Sequence, residues 1–419
     1  MPHSTTLADY RAALSTPGAR GPVIAALFAR LPVAMIGLAL LLYVERATDS
    51  FAVAGFVSAS TLTGVALGSV LQGRLIDRFG PSRPLYAAST VFALTVSGEI
   101  LAVETGAPLA VLAVLALLVG LTQPTVGSAS RALWTRLLPP GPTREAAYAY
   151  EAISLEVFFI LGPGLAGLLA SLPWPGTGVA TGAALMLVGA LSFASTRTVR
   201  AWRPEPSSTA PSRHLLGALR APGMRTVALA ALGFGVTIGF VEVAVPAAAD
   251  EAGNPAMGGV LLSVWSLSSV AFGLYYGTRP WPRPIHLRLP ALLGGFSLLI
   301  ALLALPSSLF GLTVAMLVVG ALITPQATAH SSAIELAAPA ESVAEAFGWV
   351  VTSVTLGLAA GQSLSGQLIE RSGPPAAYLA ATACGLVLAA LVWLRRRTLL
   401  PATGTPADTP APEKELSTH

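Results

Sequence analysis

Charge is scarce in this chain. Asp, Glu, Lys and Arg make up 11% of its 419 residues, where an average soluble protein carries about a quarter. The deficit excludes a disordered chain and argues against a soluble globular enzyme. Cysteine is nearly absent too: Cys384 stands alone, so no internal disulfide and no thiolate metal site can form. The five histidines are scattered without metal-ligand spacing. No G-x-x-x-x-G-K-[ST] phosphate loop occurs, which argues against ATP drive. Neither a metal nor a cofactor nor enzymatic chemistry is therefore expected. What the chain has is apolar length: 54% of it is hydrophobic and the mean hydropathy is +0.71. A bilayer, more than an internal core, must cover that surface.

A helix crossing a hydrocarbon core of about 30 Å needs roughly 20 apolar residues. Twelve runs reach that length: 23–44, 51–71, 85–103, 108–130, 146–172, 178–195, 226–247, 256–276, 289–305, 309–329, 343–369 and 375–394. They are too long for barrel strands and lack the alternation of strands. The first is too long for a signal-peptide core and ends at Glu45-Arg46, so it reads as a retained span. The expected organisation is an amino-terminal segment (1–22), a six-helix bundle (23–195), a linker (196–225), a second six-helix bundle (226–394) and a tail (395–419). The linker's Pro/Ser centre reads as flexible. Its basic piece, 213–220, reads as a short amphipathic helix lying on the membrane. The tail reads as disordered.

The net charge of +4 is a topology signal rather than a nucleic-acid footprint, because the arginines sit in short loops. Arg74, Arg78 and Arg83 follow the second run, and Arg131, Arg136 and Arg144 the fourth. Arg279, Arg283 and Arg288 follow the eighth, and Arg395, Arg396 and Arg397 the twelfth. The alternate loops hold only Arg46 and Arg371. This bias puts both termini in the cytoplasm, in a cytoplasmic (inner) membrane. One loop, between the tenth and eleventh runs, breaks the trend with Glu335, Glu341 and Glu345.

The two halves echo each other at displacements near 200 residues. Gly55 is matched by Gly259, Gln123-Pro124 by Pro325-Gln326, and Ala147-Tyr-Ala-Tyr150 by Ala344-Glu-Ala-Phe347. Their common order points to a duplication of six spans. A second echo has a different displacement. Gly73-Arg-Leu-Ile-Asp77-Arg78-Phe-Gly80-Pro81 returns as Gly366-Gln-Leu-Ile-Glu370-Arg371-Ser-Gly373-Pro374. It pairs the exit of the second span with the exit of the eleventh, on opposite sides of the membrane. Inverted three-helix units within each half would give that relation.

The pattern G-x-L-x-D-R-x-G-x-x-R, carried by Gly73, Leu75, Asp77, Arg78, Gly80 and Arg83, is similar to the signature of the major facilitator superfamily. The resemblance covers 23–394. It implies an all-α membrane protein with twelve transmembrane helices in two pseudo-symmetric six-helix bundles, moving a solute by alternating access. The copy expected after the eighth span, Gly273 to Arg279, is degenerate and lacks the acid. Gly162-Pro163-Gly164 with Gly167 resembles an element of the family's drug/proton antiporters, with Leu168 where that element has a second glycine. Close helix packing is the other reading of the same residues.

Several residues are candidates for mechanism. By resemblance, Asp77 is a latch holding the halves together on the cytoplasmic side, with Gly73 allowing close approach where the helix ends; a solvated topology loop is the alternative. Charges inside spans are costly and mark functional positions. Arg30 and Glu156 are each roughly 12–15 Å deep from the inner side. They are expected to face one another or a shared wet cavity, as coupling groups or as a static pair. Glu242, with no basic partner in view, is a candidate proton carrier, or else an outer-surface group beside Asp250 and Glu251. Gln123 and Gln326 can hydrogen-bond a substrate or another helix. Glu99, in a helix that the resemblance makes peripheral, is expected at an exposed interface. His286 and His330 are expected at the surface, and Tyr148 and Tyr150 as interfacial anchors.

The function expected is proton-coupled efflux of a drug or metabolite. Its partners would be a small-molecule substrate, protons and membrane lipid, with no nucleic acid, and the chain would work as a monomer. Sugar-type or uptake transport remains open, as does a membrane scaffold or receptor that keeps the fold without transport.

Overall fold

The computed structural model describes residues 7–139, 141–202, 218–277, 283–338 and 343–400. Among them the regular structure is helical, with no strand. A short helix, α1 (Leu7–Ser15), precedes the first span, α2 (Arg20–Thr48). Spans 2 and 3 are α3 (Phe51–Phe79) and α4 (Ser82–Glu104). Span 4 is broken into α5 (Leu109–Thr122) and α6 (Val126–Leu137). Spans 5 and 6 are α7 (Pro142–Ala170) and α8 (Thr177–Ser195). A single turn, α9 (Arg197–Arg200), opens the linker. Spans 7 to 9 are α10 (Pro222–Glu251), α11 (Ala256–Gly277) and α12 (Ile285–Ile300). Span 10 is α13 (Leu309–Gly320) with α14 (Ile323–Ala337).

Spans 11 and 12 form one helical run, α15 (Val343–Leu394), bent where Gly373 leaves helical geometry at φ 76°, ψ 172°. The bend makes twelve crossings of eleven long apolar helices. An even number of crossings returns the chain to its starting face, so Arg20 and Leu394 share it. That face is called the terminal face below, and the other the far face. Of the expected amphipathic piece, 213–217 lies outside the described residues, and Ala218–Arg220 form one 3-10 turn. The tail beyond 400 also lies outside them.

Local chemistry sets the helix ends. Ser50 caps span 2, its Oγ accepting from the Val53 amide at 3.1 Å. Pro142 and Pro222 stand in the first turns of their helices, where the missing N–H has no cost. Gly80 ends span 2 at φ 74°, a conformation open to glycine and strained for other residues. Span 4 breaks at Gln123-Pro124, because proline cannot supply the ladder N–H. The amide groups freed there are held by Gln72 of span 2. Its Nε2 donates to the carbonyls of Leu121 (3.1 Å) and Gln123 (2.9 Å), and its Oε1 accepts from the Thr125 amide at 3.2 Å.

Within each half the helices form a bundle. Span 1 packs on 5 and 6, span 2 on 4, and span 3 on 4. Span 7 packs on span 11, its Gly235 and Gly239 meeting the backbone at Val354 and Leu358. Lipid gives no hydrophobic drive between helices, so small residues that let backbones approach carry the packing. Gly120 of span 4 is one such residue: a Cβ there would stand 2.8 Å from the Val65 nitrogen of span 2. The two halves meet chiefly where span 2 packs on span 11 and span 5 on span 8.

Candidate functional site

The first half buries an ionic network between spans 1, 4 and 5. Arg30 and Glu151 are 5% and 3% exposed and form an ion pair. Arg30 also donates to Ser154 Oγ, and its guanidinium lies over the Tyr150 ring, 5.8 Å from the centroid. The other oxygen of Glu151 accepts from Ser130 Oγ at 2.8 Å and from Trp134 Nε1 at 2.9 Å. Arg30 stands ten residues past the helix start, about 15 Å from the terminal face. Removing two charges from water is costly, and the offset here comes from the pairing together with charge-assisted hydrogen bonds. The partner of Arg30 is thus Glu151, a residue that the sequence reading did not single out. The side chain of Glu156 lies outside the described residues. Tyr150 is a cover for the guanidinium instead of an interfacial anchor, while Tyr148 is exposed.

In the second half, Glu242 of span 7 is half-buried and accepts from Gln362 Nε2 of span 11 at 2.7 Å. Gln326 is fully buried. Its Nε2 lies 3.5 Å from His330 Nε2, and its Oε1 has no partner among the described residues. His330 is 4% exposed and its ring sits 5.8 Å from that of Phe234. The expectation of a surface histidine fails because α14 continues to Ala337, which leaves His330 two turns inside the helix. His286 is half-buried. Gln123 is half-buried at the break in span 4, where its backbone carbonyl is held by Gln72. Glu99 also departs from expectation. It is 1% exposed and, among the described residues, neither carboxyl oxygen has a hydrogen-bond partner, so it lies inside the first bundle and not at an exposed interface.

The signature turn after span 2 is helical through most of its length. The helix runs past Gly73 to Phe79, so Gly73 does not mark its end, and a Cβ at Gly73 would meet nothing within 4 Å. Arg78 stacks on the Phe79 ring at 5.1 Å, and Arg83 is exposed. The side chain of Asp77 lies outside the described residues.

The seam between the halves is tight toward the far face. A Cβ at Gly55 would stand 2.6 Å from the Gln362 carbonyl oxygen, and one at Gly366 2.9 Å from the Phe51 carbonyl carbon. On the other side of the pseudo-twofold axis, a Cβ at Gly164 would stand 2.9 Å from Ser263 Oγ, and one at Gly167 2.9 Å from the Ala256 carbonyl oxygen. Pro163 offers its carbonyl to Gly259. Gly162 points the other way, toward Ala34 of span 1. Below the seam, an open groove of about 400 Å³ runs between Phe56, Ala59, Ser60 and Thr63 of span 2 and Leu356 and Ala360 of span 11. Toward the terminal face, Leu71 and Leu75 of span 2 and Phe347 and Val351 of span 11 are exposed. Among the described residues no group of three or more His, Cys, Asp or Glu is placed to hold a metal.

Residues 23–323 match the family described as the Major Facilitator Superfamily. No curated protein sequence matches the chain. Solved structures with the same fold include the nucleoside transporter NupG, at TM-score 0.71 and 17% identity, covering 89% of this chain and 99% of that one. The POT family transporter PepTSo matches at TM-score 0.71 and 12% identity over 92% and 98%. A bacterial homologue of the human lysosomal transporter Spinster, solved inward-facing and unoccupied, matches at TM-score 0.69 and 15% identity over 94% and 100%.

Proposed function

From the premise that the chain belongs to the major facilitator superfamily, we propose that it is a secondary active transporter of a small organic solute, working by alternating access. The observation that carries the reading is the one-sided closure of the seam. The halves are crowded together at the far face, while Gly73, near the terminal end of span 2, stands in open space. A static scaffold has no need of an interface pressed shut at one end. The arginine-rich loops after spans 2, 4 and 12 support a cytoplasmic terminal face, so this is the inward-facing arrangement of a protein in a cytoplasmic membrane. At 17% identity the nucleoside carried by NupG is not carried over to this chain.

Coupling to protons, with export against proton entry, is the reading that the intramembrane acids support. Glu151 is committed to Arg30, so its protonation would strand a buried cation. Glu242 is free of that constraint: among the described residues its hydrogen bond is with the Gln362 amide, on the residue whose backbone carbonyl meets Gly55 at the seam. Its protonation would leave no buried cation behind, which is what a group that takes up and releases a proton during the cycle needs. Reconstitution in proteoliposomes tests both levels. With substrate found by a counterflow panel, Glu242→Gln should abolish flux driven by a proton gradient while sparing exchange. Unchanged pH dependence in the variant would end the coupling proposal, and absence of counterflow across a broad panel would end the transport proposal.

A further inference from the structure

The two copies of the glycine-bracketed turn adopt the same backbone at opposite faces. Gly80 has φ 74°, ψ 166°, and Gly373 has φ 76°, ψ 172°. Their surroundings differ. In the far-face copy, Gly366 is pressed against the Phe51–Ala52 backbone of the other half. One turn further on, Glu370 reaches across the seam to the start of span 2. Its Oε1 accepts from Ser50 Oγ and from the Ala52 amide, the latter at 3.1 Å. Ser50 is the N-cap of that helix. A carboxylate from one half thus sits on the positive end of a helix from the other, satisfying an N–H that has no partner within its own helix. In the terminal-face copy, Gly73 is uncrowded.

We propose that Glu370 is a positioning residue of the transport cycle: a far-face latch whose carboxylate caps span 2 across the seam and holds the outer side shut. The inference rests on the alternating-access reading. Gln362, Gly366 and Glu370 recur every four residues, so they share one face of span 11. That face carries the contact to Glu242, the backbone approach to Phe51 and the cap on Ser50 in one line. Opening the far face must break the cap and the approach together. The equivalent seam between spans 5 and 8 ends in Ser171, which bonds its own helix at the Gly167 carbonyl, so the carboxylate latch acts on one side of the pathway.

The test is a distance measurement across the far face in the full-length protein. Thr105→Cys and Ser307→Cys place spin labels on exposed loops of the two halves, in a Cys384→Ser background. Wild type in liposomes should show a short and a long population. Glu370→Ala should raise the long-to-short ratio by about two- to fivefold, the worth of an exposed carboxylate at a helix N-terminus. Ser50→Ala should raise it less, and Glu370→Asp should restore much of it. Retention of the monodisperse peak in detergent serves as the folding control. Two wild-type populations whose ratio Glu370→Ala and Ser50→Ala both leave unchanged would overturn the latch alone. A single wild-type distance under every gradient would overturn the alternating-access reading and the latch with it.

Discussion

Crowded glycines within a half and crowded glycines between halves should respond differently to the same added methyl. Gly366→Ala and Gly120→Ala form a matched pair. At Gly366 the new Cβ would stand 2.9 Å from the Phe51 carbonyl carbon and 3.0 Å from Ala52 Cα. At Gly120 it would stand 2.8 Å from the Val65 nitrogen and 2.9 Å from the Thr61 carbonyl carbon. The carbonyl oxygens of Phe51 and Thr61 stand closer still, so each site needs about 1 Å or more of extra separation from atoms that cannot rotate aside. Overpacking of that kind costs about 1–3 kcal/mol. Spans 2 and 4 belong to one bundle, so at Gly120 the strain has no outlet except the bundle itself, and the melting temperature falls. Spans 2 and 11 belong to different halves, so at Gly366 the strain is relieved when the far face opens. The same 1–3 kcal/mol then appears as about a 5- to 150-fold shift toward the open far face, with little loss of thermal stability. Far-face distances between spin labels and thermal melting in detergent read the two effects separately. The reasoning is refuted if Gly366→Ala melts as early as Gly120→Ala and leaves the distance distribution where it was.

Two further outcomes follow from the buried polar groups. Arg30→Met or Glu151→Met alone should lower stability by about 3–5 kcal/mol, while the double substitution should recover most of it, since a buried pair replaced whole costs little; a double variant as unstable as either single would contradict this. Gln72→Leu should cost about 1–3 kcal/mol by orphaning the backbone at the break in span 4, and an unchanged melting temperature would show that the break is held by something other than Gln72.

Span number and the two-bundle division were legible because hydropathy is written residue by residue and the echoes kept their order. What was hidden was the direction in which each charge points. Glu156 and Glu151 are five residues apart, about 140° around a helix, so they stand on different faces. Span 5 was expected to start at 146 and its helix starts at Pro142, which sets Glu151 nine residues inside it. His330 was displaced in the same way, its helix running eight residues past the expected limit of 329. Glu99 was misjudged for another reason. The family resemblance assigned span 3 to the periphery, yet Leu85, Ser89, Phe92, Val96, Glu99 and Val103 repeat at helical spacing and are all buried. That stripe was readable, and it puts the acid on the packed side. Gln72 could not have been found from the sequence. The break at Pro124 announces that a donor is needed but does not say which helix supplies it.

The unequal state of two nearly equal turns is itself informative. A chain built from matching units would, if perfectly symmetric, engage both copies and shut the pathway at both ends. Alternation requires that one copy let go when the other holds, and the contrast between crowded Gly366 and open Gly73 is of that kind. The strength of the hold is bounded as well. Glu370 is exposed, and water and salt weaken a charge at a helix end. A fully buried carboxylate would hold more tightly, but a bias of about 10⁴-fold already moves a two-state equilibrium from one extreme to the other. A substrate could then reverse it only by an equally large difference in its affinity for the two states. A latch worth about two- to fivefold biases the resting state while leaving the cycle reversible by a weakly held solute. An acid on the membrane surface, not in the core, is where such a latch belongs.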